Sequence, residues 1–105
     1  MPNKIVIRPR ARLDIVETAS YIGGDNLAAA KRFLRSCDAT FDLLAKSPQI
    51  GSRYATDNAR LVGLRVYPVR LFRKHLVFYL LRREGLEIVG VVHGARDLNT
   101  ILEAE

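Results

Sequence analysis

Three runs rich in Val, Ile, Leu, Phe and Tyr dominate the second half of the chain, between Leu64 and Asp97: LRVYPVRLF, LVFYLL and LEIVGVV. RKH and RREG separate them and HGARD follows the last. Such spacing predicts an antiparallel three-stranded meander with tight hairpins, placing His75 in the first hairpin link. Side chains alternate across a strand, so each run has two faces. The middle run divides into Leu76, Phe78 and Leu80 against Val77, Tyr79 and Leu81; the last divides into Leu86, Ile88 and Val92 against Val89 and Val91. Both faces are apolar, whereas a sheet wet on one side should show polar residues there. A cover for the second face is therefore expected, either a partner chain or a curled sheet together with the tail after Leu98.

Upstream, Lys4–Ile7 is a short apolar run that predicts a strand joining the same sheet. Pro9 suits the first turn of a helix, where a missing N–H is harmless. That helix should run to about Ile22, with Ala11, Ile15, Ala19 and Ile22 on its apolar face and Asp14 and Glu17 pointing elsewhere. Arg8 lacks a short acceptor and is a poor N-cap. Gly23-Gly24 should end the helix, and Asp25 or Asn26 can cap a second one carrying Ala30, Phe33, Cys37, Phe41 and Leu44 as far as Ser47-Pro48. Two long helices with a tight link make an antiparallel hairpin. Residues 48 to 60 lack apolar periodicity and read as loop, and Pro68 implies a bulge or an edge in the second strand. The expectation is one α+β domain over residues 1–105. In it an N-terminal strand and an antiparallel helical hairpin pack on one face of a small, mainly antiparallel sheet, in the order β-α-α-β-β-β.

Composition narrows function only modestly. A length of 105 residues allows one sizeable core, and a net charge of +6 points to an acidic partner, nucleic acid or protein. No signal peptide or membrane span is visible, which predicts a soluble, cytoplasmic protein without a membrane partner. One cysteine and two histidines supply no clustered metal ligands, so no metal and no cofactor is expected. Cys37 lies at helical spacing with Phe33, Phe41 and Leu44 and reads as core. No nucleophile elbow or phosphate-binding loop is present. The catalytic candidates reduce to His93, where a strand opens into a loop, and Arg96 just beyond it. Arg96 and Asp97 can equally pair with each other.

Taken together, several residues resemble one family. They are Pro9, Ala11, Asp14-Ile15 and Tyr21; Phe41 and Leu44 leading to Pro48 and Gly51; Leu64-Arg65; Phe78-Tyr79; and the ending Ile88 to Val92-His93-Gly94-Ala95-Arg96-Asp97. The pattern looks like the RelE/ParE toxin superfamily, most of all its ParE branch, and spans nearly the whole chain. The resemblance implies a plasmid-stabilisation type of toxin from a type II toxin–antitoxin pair. Such a toxin inhibits DNA gyrase by binding and has no established catalytic residues. A ParD-like antitoxin neutralises it, a ribbon-helix-helix protein with a wrapping C-terminal segment, and operator DNA is reached only through that antitoxin. Arg65, Arg70, Val77, Tyr79, Val89, Val91, His93, Arg96 and Asp97 are the candidate residues for antitoxin or target binding. The RelE branch instead cleaves mRNA on the ribosome. Its lysine pair would fall here on Val69 and Leu71, its mid-sheet arginine near His75 or Leu76, and its terminal tyrosine on Leu102. Only its final arginine is matched, by Arg96. A lone arginine cannot both accept a proton from the 2′-OH and stabilise the phosphate, which makes a nuclease the second reading. An inactive relic that binds only its antitoxin is the third.

Overall fold

The computed structural model describes residues 4–94, and within them the order is β1 (Lys4–Ile7), α1 (Pro9–Asp25), α2 (Leu27–Lys46), β2 (Ser52–Arg53), β3 (Arg65–Val69), β4 (Phe72–Arg82) and β5 (Gly85–His93). A short 3-10 turn at Ala59–Leu61 precedes β3. The sheet runs β1-β5-β4-β3-β2, parallel between β1 and β5 and antiparallel elsewhere. The α+β arrangement and the β-α-α-β-β-β order are as the sequence predicts, with β2 a short addition at the far edge.

Helix α1 starts at Pro9 with Arg8 as an N-cap whose side chain makes no capping bond. It continues through Gly23 and Gly24 to Asp25, past the predicted stop. Asn26 ends α1 by donating its N–H to the Ile22 carbonyl, and it starts α2 by accepting from the Ala29 N–H at 3.0 Å. One residue serving both helices leaves no link for the glycines to form. Gly23 faces Ala30 of α2, where a Cβ would make ordinary contact at 3.4 Å.

Two layers of apolar side chains result. Between helices and sheet lie Ala11, Phe33, Cys37, Phe41, Leu44, Val69, Val77, Tyr79, Leu86, Ile88 and Val91. Phe33 meets Phe72 edge to face at 5.2 Å. On the other side Leu61, Leu64, Phe78, Leu80, Val89 and Val92 form a second cluster, with Tyr54, Val66 and Leu76 against it. The segment before β3 therefore packs on the second face, through Tyr54, Leu61 and Leu64. Tyr54 does part of this by setting its ring edge-on to Phe78 at 5.1 Å.

Bulges explain where simple alternation fails. β4 and β5 pair Phe78 with Gly90 but Tyr79 with Ile88, leaving Val89 as an extra residue. Val91 consequently joins Leu86 and Ile88 on the helix side, and Val92 turns to the other, reversing their predicted assignment. Leu81, predicted to share a face with Val77 and Tyr79, is exposed. At Pro68/Val69 the register shifts as expected: Pro68 pairs with Leu76 and Val69 with Phe72. The turn is therefore Arg70-Leu71, and RKH lies within β4 and is not a link. Arg73, Lys74 and His75 have no partner on β3, while His75 pairs with His93 on β5.

Candidate functional site

Of the predicted binding residues, Val77, Tyr79, Val89 and Val91 are core, each at most 2% exposed. They give the free chain no apolar surface. Of the two covers expected for the second face, the structure shows the chain's own residues there, Tyr54, Leu61 and Leu64, while the helices bury the first.

Tyr79 has a definite task. Its hydroxyl accepts from the Gly51 N–H at 3.0 Å and donates to the Pro48 carbonyl at 2.7 Å. Burial raises its pKa, with the Gly51 bond and the Arg65 charge opposing. Arg65 donates to the Gly51 and Gln49 carbonyls at 2.6 and 3.2 Å, so its guanidinium is engaged in holding the same loop. A Cβ on Gly51 would collide with the Tyr79 ring, which is why that position is glycine.

His75 and His93 stand directly opposite each other. The Gly94 N–H donates to the Lys74 carbonyl at 2.7 Å, which makes them a non-hydrogen-bonded pair whose side chains lie close. Their rings meet edge to face at 5.1 Å, and Phe33 approaches His75 at 5.3 Å. His75 is thus half-buried, contrary to its expected place on a surface hairpin. Burial lowers its pKa and the neighbouring His93 lowers it further, while its Nδ1 is enclosed without a hydrogen-bond partner. A groove of about 620 Å³ opens beside the pair, lined by Asp14, Glu17, Thr18, Tyr21, Ile22, His75, Val91 and His93.

Asp14 was expected to point away from the core and instead turns inward, 8% exposed. β1 ends at Ile7, and beyond the bond from the Arg8 N–H to the Ile88 carbonyl the edge of β5 turned away from β4 has no strand beside it among the described residues. Asp14 Oδ2 takes over as acceptor, receiving the Val91 N–H at 3.0 Å, and Arg10 pairs with Oδ1 at 3.4 Å. A Cβ at Gly90 would come within 3.3 Å of that carboxylate. A legible signal existed: Asp14 is three residues from Ala11, on the helix face turned to the sheet.

What the free chain does expose is apolar surface on the helical hairpin, including Leu13, Val16, Leu27 and Leu34. A groove of about 370 Å³ runs there past Ile7, Ile15, Val16, Leu34 and Phe41, flanked by Arg12 and Asp38. Cys37 also lines it, but it is buried, and desolvation ahead of the Asp38 charge pushes its thiol up to about 12, so it is unreactive.

Among the described residues no three His, Cys, Asp or Glu side chains converge on a metal position, and no helix is long and apolar enough to cross a membrane. Arg96 and Asp97 lie outside the described residues. Residues 5–98 match the family model of the ParE toxin of the type II toxin–antitoxin system parDE. The chain belongs to the ParE toxin family. A solved chain of the chromosomal ParDE toxin–antitoxin system from P. aeruginosa is similar in fold, with a TM-score of 0.70 at 9% identity, covering 87% of this chain and 95% of that one. No curated protein sequence is matched. Membership of the ParE family makes this chain a toxin of a type II toxin–antitoxin system. At 9% identity the solved relative speaks only for the shared sheet and helical hairpin.

Proposed function

We propose that this ParE-family toxin acts in the cytoplasm by binding DNA gyrase, and that a ParD-like antitoxin neutralises it. The observation that carries this reading is the family match over residues 5–98. Chemistry favours binding over catalysis. The positions that would hold the lysine pair of a ribosome-dependent nuclease are Val69, which is core, and Leu71, which is a turn residue. Burial, and after it the neighbouring His93, lowers the His75 pKa, and its Nδ1 is enclosed among Phe33 and His93, which suits packing better than proton transfer. Arg96 alone cannot both accept a proton from the 2′-OH and stabilise the phosphate.

The antitoxin binds the helical hairpin, because the apolar residues of the sheet faces are buried. Val16 and Leu34, 59% and 41% exposed, border an apolar groove of the kind an amphipathic segment fills. Purified toxin is expected to inhibit supercoiling by gyrase with ATP present and to accumulate cleaved DNA. It should leave mRNA intact in translating ribosomes. Adding the antitoxin should restore supercoiling for the wild type and fail to do so for Leu34→Arg. Codon-positioned mRNA cleavage with gyrase unaffected would reverse the assignment.

A further inference from the structure

The tip of the β3–β4 hairpin combines features that neither the fold nor the antitoxin groove requires. Leu71 sits there at φ 69°, in the left-handed region where a β-turn ordinarily holds Gly or Asn. It is also 71% exposed, so no burial offsets the strain of holding a branched side chain there. The tip is held rigidly. The Arg70 N–H donates to Thr40 Oγ1 at 3.0 Å, and Thr40 is fixed in turn by donating to the Ser36 carbonyl at 2.7 Å. On either side stand Arg70, Arg73 and Lys74, all exposed and without an acidic partner among the described residues. Arg73 and Lys74 belong to the bulge that β3 leaves unmatched.

We propose that this tip is a contact for duplex DNA, with Leu71 entering the minor groove as an apolar wedge while Arg70, Arg73 and Lys74 hold the phosphates beside it. A two-residue turn is narrow and convex, as a groove about 6 Å wide demands. Cations to either side match the phosphate rows that border that groove, and the net charge of +6 favours the encounter. An exposed leucine between cations is the arrangement by which side chains unstack one base step and bend the duplex. An acidic protein surface would satisfy the cations as well, and poly-glutamate in the test below stands for it. Recognition is sequence-neutral and does not depend on the gyrase assignment. A toxin that holds gyrase on cleaved DNA would touch both.

The test uses the full-length toxin and a dye-labelled duplex of about 20–30 base pairs, read by anisotropy for affinity and by end-to-end energy transfer for bending. Wild type is expected to bind and bend the duplex, with log K falling against log salt at a slope of about −3 between about 50 and 200 mM. The variant carrying Arg70→Gln, Arg73→Gln and Lys74→Gln should lose that slope and the binding with it. Leu71→Gly suits the left-handed backbone and keeps the fold, checked by circular dichroism. It should retain the slope, bind about tenfold more weakly and no longer bend the duplex. No binding at about 50 mM salt, or bending that survives Leu71→Gly, overturns the proposal. Poly-glutamate binding as tightly as the duplex also overturns it and assigns the tip to an acidic protein.

Discussion

Removing one oxygen at Tyr79 tests the account of how the loop is held over the sheet. Tyr79→Phe keeps the ring, which is fully buried, and deletes only the hydroxyl that bonds Gly51 N–H and the Pro48 carbonyl. The Gly51 donor is left buried without an acceptor, a loss of about 1–3 kcal/mol, while the more accessible Pro48 carbonyl adds less. The expected total is about 2–3 kcal/mol, a large part of the 5–15 kcal/mol typical of a domain. For a chain of this size that corresponds to a Tm lower by about 10–20 °C. Urea unfolding followed by tyrosine fluorescence and circular dichroism measures it, and amide exchange should show protection lost around Gln49–Arg53. Alkaline pH offers a second readout. The folded tyrosine has its pKa raised above the ordinary 10.0, mainly by burial. The unfolded chain therefore ionises first, and this contribution is complete below pH 10.0 and is lost as pH rises through the folded value. Tyr79→Phe should lack that loss. A change under about 0.5 kcal/mol with loop protection intact would refute the clamp.

Three further substitutions, at two residues, probe the surroundings of β5. Glu87 is held by Arg8 and Arg82, each at 2.7 Å, and the Arg8 bond first of all keeps its carboxyl below the usual range. Glu87→Gln should cost only about 0.5–1 kcal/mol because the site is partly wet. That contribution is full above pH 4.5 and fades as pH falls through the lowered value, so acid titration of urea stability should be flatter in the variant. Asp14→Ala should cost about 1–3 kcal/mol and speed exchange at the Val91 amide, whereas Asp14→Asn, still an acceptor, should cost less than half as much.

Local chemistry by itself determined the elements. Apolar periodicity predicts both helices and the three long strands, Pro9 and Pro68 mark a helix start and a register shift, and Asn26 offers the capping oxygen that both structure and sequence require. These are short-range effects, written in neighbours a few residues apart. The ending that follows β5 also carried the family resemblance. Which faces become core was decided only by tertiary structure. The extra residue Val89 reverses the side taken by Val91 and Val92, and single-strand alternation cannot reveal a bulge set by the register of two strands. Asp14 is polar on a predicted wet side, yet it faces inward because β1 stops four residues into a nine-residue β5 and leaves an N–H to satisfy. RKH reads as a link because it is charged; the turn falls earlier because Val69 pairs with Phe72, leaving Leu71 exposed at the tip. Likewise, the loop before β3 has no periodicity of its own. Only the packing of its Tyr54, Leu61 and Leu64 on Phe78, Leu80, Val89 and Val92, residues later in the chain, makes it the cover of the second face.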